Sequence, residues 1–311
     1  AGQGHRRAGG LRAALTSVVS VRELTGADLA ASGELCDRLR AGDPAVEPFA
    51  QRLPIIATGP RALLDLWRVA QDEEGALHGI SFAGVRESRT AEGAGRATAD
   101  LYAAVAPELR RQGLGRALCA PALEWAAANG ATLRARVRED ARPGQAFLRA
   151  LGFAETSAQL TLSWSPRPVE APALPVLRVR RIGPGQAVPD LERLSREAWS
   201  GAPDSFATRS GEVAELFSEE GRLVLLAEAE RRAVGYLSAI WLGRTLGIEE
   251  VAVLPDFRRM GIGRALVASA LPGAAHAVLS VAESNRAARA LYGSLGFSVS
   301  GRRVVHELRR G

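Results

Sequence analysis

Lysine is missing altogether: the 311 residues carry 40 basic side chains, and every one is arginine. A GC-rich coding sequence accounts for the bias. The absence also removes the Gly-Lys-Ser/Thr of a phosphate-binding P-loop. Cysteine is scarce. Cys36 and Cys119 stand far apart and form no Cys-x-x-Cys pair, which argues against a disulfide framework or a cysteine zinc site and fits a reducing cytoplasm. The four histidines, His5, His78, His276 and His306, show no metal-ligand spacing, so no metal is expected. No apolar run approaches the roughly 20 residues of a membrane helix, so no membrane partner is expected. Residues 1–14 are small and basic and lack the apolar core of a signal peptide; they read as a flexible leader. The net charge of +6 favours anionic ligands. The arginines are scattered and not interleaved with aromatics, so nucleic acid is not expected.

What is present is one device used twice. Near residue 258 the chain reads Val253-Leu-Pro-Asp-Phe-Arg258-Arg259-Met260-Gly261-Ile262-Gly263-Arg264. A strand over 248–253 runs into it, and Pro255 stops that strand because it has no N–H to donate. Two glycines one residue apart permit a tight turn and leave the backbone N–H groups uncovered. Those groups lie at a helix start, where the positive dipole end favours an anion. Near residue 110 the same arrangement appears as Val105-Ala-Pro-Glu-Leu-Arg110-Arg111-Gln-Gly113-Leu-Gly115-Arg116. Arg110 and Arg258 are 148 positions apart, and Leu-Gly-Phe at 151–153 recurs 144 positions later at 295–297. Two pairs in register mark an internal repeat.

Each copy reads as mixed α/β. In the first, strands are expected at 18–23, 64–70, 77–85, 97–105, 132–137 and 153–164, the last as one strand or two. Helices are expected at 25–40, 113–129 and 145–150, with loop and a short helix in 44–62 and loop in 86–96. In the second, strands are expected at 177–181, 223–228, 233–242, 248–253, 277–281 and 297–308. Helices are expected at 188–199, 211–217, 261–271 and 285–294. Residues 165–175 hold four prolines and read as a semi-rigid linker. The division is therefore a leader at 1–14, a first domain at 15–164, a linker at 165–176 and a second domain at 177–311.

At these residues the sequence resembles the GNAT superfamily of acetyl-CoA-dependent N-acetyltransferases. The family's cofactor signature, Gln/Arg-x-x-Gly-x-Gly/Ala after a strand ending Val-x-Pro, matches Arg258-x-x-Gly261-x-Gly263 and Arg110-x-x-Gly113-x-Gly115. The second copy also carries the later signature, Asn285-x-x-Ala288-x-x-Leu291-Tyr292 followed by Leu295-Gly296-Phe297. The resemblance implies two tandem GNAT-like domains, each a mixed, mainly antiparallel sheet flanked by helices. It implies a CoA pyrophosphate held at Arg258, Arg259, Met260, Gly261, Ile262, Gly263 and Arg264, and main-chain contacts to pantetheine and acetyl oxygen at Val251 and Val253. Asn285 would touch the cofactor arm, and Tyr292 would protonate the leaving thiolate; by itself each also fits an N-cap and a core aromatic. In the first copy the matching cofactor positions are Val105, Arg110, Arg111, Gly113, Gly115 and Arg116.

The acceptor amine must lose a proton, and Glu249 and Glu250 lie on the strand before the turn. Simple alternation puts Glu249 on the face of Val251 and Val253 and Glu250 on the other; a β-bulge would exchange the two. The first copy departs from the pattern, with Leu148 in place of the tyrosine and Ala141 in place of the asparagine. It is expected to be non-catalytic. An active second copy after a degenerate first is similar to the arrangement of mycothiol synthases. The acceptor class stays open: a sugar-linked thiol precursor, aminoglycosides, amino-acid derivatives, polyamines or a peptide N-terminus. Trp199, Phe206 and Trp241 are candidate acceptor contacts. A second class of function, a non-catalytic acyl-CoA-binding sensor or scaffold, uses the same turn; Tyr292 and Asn285 favour the enzyme. The oligomeric state is not readable from these residues.

Overall fold

A computed structural model describes residues 18–42, 53, 57, 62–87, 97–170, 172, 174, 177–183, 191–199, 221–230 and 232–309. The expected leader, most of 44–62, the end of the 86–96 loop, the 211–217 helix and Phe206 lie outside the described residues.

The two copies run through one order of elements. The first comprises β1 (Ser20–Glu23), α1 (Leu29–Gly42), β2 (Arg68–Gln71), β3 (Leu77–Glu87), β4 (Ala97–Val105), α2 (Leu114–Ala128), β5 (Thr132–Arg138), α3 (Arg142–Ala150) and β6 (Ala154–Trp164). The second comprises β7 (Leu177–Ile182), α4 (Leu191–Trp199), β8 (Arg222–Ala229), β9 (Arg232–Leu242), β10 (Thr245–Val253), α5 (Ile262–Ala270), β11 (His276–Ala282), α6 (Arg286–Ser294) and β12 (Ser298–Arg309). The fold is mixed α/β with mainly antiparallel strands. Each closing stretch is a single strand. The helix expected from residue 25 begins at Leu29, because the Thr25 N–H and hydroxyl both donate to Asp28 and hold the chain in a preceding turn.

The described residues form two compact units, one within 1–85 and 100–133, the other within 86–99 and 134–311. In the first unit, β1, β2, β3 and β4 are neighbours in that order, with β1–β2 and β2–β3 antiparallel. Its core gathers Leu35, Cys36, Trp67, Val69, Ile80 and Phe82. The Trp67 indole donates to the Ala83 carbonyl at 2.8 Å, so its polar edge is satisfied in the interior.

In the second unit the strand order from residue 134 is β5, β12, β6, β11, β10, β9, β8, β7. The sheet carries one core on each face. On the α5 and α6 side lie Leu237, Leu246, Leu266, Ala277, Tyr292 and Phe297. On the α4 side lie Leu191, Leu194, Val224, Leu226, Tyr236, Ala252 and Leu254. β6, the last strand of the first copy, pairs with both β11 and β12 of the second. Its period-2 pattern buries Ala158, Leu160, Leu162 and Trp164, and the last three enter the α5-side core. The closing strands of the two copies are thus interleaved. Part of the Pro-rich linker lies on this unit as well: Val169 and Leu174 pack on the α5-side core, and Pro172 and Leu174 cover Gly261.

Candidate active site

β10 pairs with β9 along both of its halves but with β11 only from Thr245 to Ile248. From Glu250 to Val253 its β11-facing edge has no paired strand. Such an edge leaves backbone donors and acceptors that need partners. Between Ile248 and Glu250 the register with β9 shifts by one, with Glu249 as the extra residue. Val251 and Val253 turn their side chains into the α5-side core, so only their main chain is offered to a ligand.

The turn that follows is built the same way in both copies. Arg258 returns its Nε to the Val253 carbonyl at 3.2 Å; Arg110 does so to Val105 at 3.0 Å. Leu254 donates to Val234, as Ala106 donates to His78. Arg259 and Arg111 hold φ of 63° and 67°, and Gly261 and Gly113 hold 82° and 86°. Each of these glycines is the N-cap of its helix, and no side chain caps either helix start. The first N–H groups of α2 and α5 therefore have no intrahelical acceptor, the geometry that suits an anion. The arginines are not equivalent. Arg258 also donates from Nη2 to the Ala198 carbonyl on α4 at 2.8 Å. Arg264 ties α5 to the Ser294 carbonyl and hydroxyl at the end of α6. Met260 is exposed, and so is Arg259. Ile262 is buried.

α6 begins at Asn285, whose Oδ1 accepts the Ala288 N–H at 3.1 Å. Tyr292 is 8% exposed and lies against Phe297 with ring centroids 5.8 Å apart. Burial pushes its phenol up to about 12, so it keeps its proton at neutral pH. At the matching places in the first copy, Ala141 has nearly the backbone of Asn285 but no cap, and Leu148 is buried without a polar group.

Because of the bulge, Glu249 and Glu250 both reach the α4 side. Arg222 donates from Nη1 to Glu249 Oε2 and to Ser238 Oγ, each at 2.8 Å. Glu250 accepts the Tyr236 hydroxyl proton at 2.5 Å. The Tyr236 oxygen in turn meets Trp199 Nε1 at 3.0 Å and Ser195 Oγ at 3.2 Å. Burial first, and then the Glu250 charge, drive the Tyr236 phenol well above its ordinary value. Glu250 and Tyr292 thus flank the sheet from opposite faces, with the unpaired edge of β10 between them. Sequence reasoning missed Tyr236, Ser195 and Arg222; the available signal was a tyrosine two positions before a serine in an otherwise apolar strand. Of the expected aromatic contacts, Trp199 joins this network, whereas Trp241 packs on the α5-side core.

Both thiols are remote from nucleophilic duty: burial raises Cys36 to about 11, with the Asp37 charge adding to it, and Cys119 to about 12. Among the described residues no helix is long and apolar enough to cross a membrane.

The Acetyltransferase (GNAT) family matches the chain over residues 66–153 and 188–297, more than half its length. The chain belongs to the GNAT acetyltransferase family, with two tandem copies of the domain. No curated protein matches its sequence. Among solved structures, it is similar to a GCN5-related N-acetyltransferase from Sphaerobacter thermophilus, at 21% identity and a TM-score of 0.69, with 94% of this chain and 96% of that one covered. It is also similar to a tandem GNAT protein from the clavulanic acid biosynthesis pathway, at 20% identity and a TM-score of 0.71, covering 94% and 99%. A putative acetyltransferase from Pyrococcus horikoshii aligns at 14% identity and a TM-score of 0.67, covering 94% and 89%.

Proposed function

We propose that the protein is a cytoplasmic acetyl-CoA-dependent N-acetyltransferase that acts on a primary amine, small-molecule or peptidic, through its second domain. In this reading the domains are 15–164 and 177–311, and the first is non-catalytic. The observation that carries it is the open edge of β10 leading into an uncapped helix start, with a proton acceptor on one face and a proton donor on the other. An acyl-CoA fits this arrangement. Its pyrophosphate suits the N–H groups at Gly261–Arg264, and its amide-bearing arm suits the unpaired main chain at Val251 and Val253.

Bound acetyl-CoA supplies the acyl carbon and the thiolate leaving group. Glu250 takes the proton of the amine as the N–C bond forms. Tyr292 gives its proton to the sulfur as the C–S bond breaks, and its buried phenol has one to give. Glu250 is the better base of the pair, because Glu249 is held by the guanidinium of Arg222, whose side chain is 6% exposed. A buried cation stabilises the charged carboxylate and makes it a poorer acceptor. Asn285 fixes the start of the helix that carries Tyr292.

The test is a panel of primary amines with acetyl-CoA, following release of free CoA thiol. Turnover with an amine, lost in Glu250→Gln, supports the reading. Tight acetyl-CoA binding with no turnover on any amine would replace it with an acyl-CoA sensor.

A further inference from the structure

The Tyr236 hydroxyl has one proton and two lone pairs, and all three have identified partners. Trp199 Nε1 is a donor only, so it uses one lone pair, at 3.0 Å. The 2.5 Å contact to Glu250 uses the proton. Ser195 Oγ, 3.2 Å away, must then be a donor to the second lone pair. The ring is 1% exposed and Ser195 is 3% exposed, so water does not compete for these bonds. Two donors on a phenol oxygen polarise its O–H and strengthen the bond it donates.

We infer that Tyr236 is a positioning residue for the Glu250 carboxylate: it holds Oε2 in place and leaves Oε1 to receive the proton of the acceptor amine. The inference rests on the reading of Glu250 as the base. α4 is the anchor, because Ser195 and Trp199 both belong to it, and the Arg258 guanidinium fastens the end of that helix through Ala198. The bulge at Glu249 is the other requirement, since it places both acids on the α4 face. The other ionisable groups on this face are Arg222, bonded to Glu249, and Arg258. On α4 itself, Arg193 and Glu197 pair with one another and Arg196 is exposed.

Two readouts on the full chain test the inference. In protein labelled with carbon-13 at its glutamate carboxyls, the Glu250 signal is the one that Glu250→Gln removes. Removing a hydrogen bond to the charged form disfavours that form, so Tyr236→Phe should raise the Glu250 titration midpoint by about one pH unit. With acetyl-CoA and the fastest amine of the panel, the acidic limb of kcat/KM should move up by the same interval, and kcat should fall about tenfold. The KM for acetyl-CoA should stay within about twofold, since the helix start that holds the anion is untouched. A Tyr236→Phe protein with the parent's midpoint and acidic limb, beside an inactive Glu250→Gln, overturns the positioning role alone. A Glu250→Gln enzyme at the parent rate overturns the base assignment and this inference with it. Should Tyr236→Phe fail to fold, Trp199→Phe and Ser195→Ala each delete one donor to the phenol. Both should shift the midpoint the same way by less, and unmoved midpoints in both overturn the inference.

Discussion

Arg110 and Arg258 each bind the carbonyl that ends the strand before them, and the glycine that follows three residues later is left-handed in both copies. Downstream the copies part. One continues to a capped helix with a buried tyrosine, the other to an uncapped helix with a buried leucine. The turn has a folding duty of its own, because it ends a strand and starts a helix. It therefore persists whether or not chemistry follows, and its presence reports the fold more than the activity. The compact units repeat the lesson. Turn, closing helix and acids of the second copy all lie within one unit, whereas the first copy's turn lies in one unit and α3 in the other.

The largest expected break in the comparison is at the closing helices. Tyr292→Phe should lower kcat about a hundredfold, as loss of a general acid does, with the KM for acetyl-CoA little changed. Leu148→Met, a swap of similar volume, should leave turnover within about twofold; steady-state kinetics with a panel amine reads both. A loss of equal size in Leu148→Met would make the first copy part of the chemistry. The same tyrosine has an alkaline signature. Its folded value of about 12 exceeds the ordinary 10.0, so the native state holds the proton more tightly than the unfolded one. That contribution to stability is complete below about pH 10 and is lost as pH rises towards 12. Denaturant midpoints measured across that range should fall less in Tyr292→Phe than in the parent.

Next come the turns. A Cβ at either left-handed glycine is strained by about 1–2 kcal/mol. Gly261→Ala should weaken acetyl-CoA binding about tenfold and lower kcat/KM with it. Gly113→Ala should weaken a second, separate acetyl-CoA site and spare turnover at saturating acetyl-CoA. Isothermal calorimetry counts the sites; a single site abolished by Gly261→Ala would mean that the first turn serves folding alone. The smallest effect is a cap exchanged between copies. Asn285→Ala should cost about 1 kcal/mol, and Ala141→Asn, on nearly the same backbone, should recover up to that amount. Thermal unfolding measures both.

The sequence carried the turns, the helices after them, the tandem GNAT architecture and the contrast of Tyr292 with Leu148. Those features are local: glycine at a left-handed position, proline at a strand end and apolar residues at helical or alternating spacing each leave a mark within a few residues. Two things were decided only in three dimensions. Alternation in β6 shows which face of the strand is buried, but backbone hydrogen bonds are alike in every strand and name no neighbour. Nothing in 154–164 announces that this strand enters between β11 and β12. Alternation through Glu249 likewise assumes an unbroken register. The bulge there breaks it, brings both acids to one face and puts Glu250 in reach of a tyrosine fourteen residues earlier, whose hydroxyl is held by a helix that no spacing in the sequence connects to it.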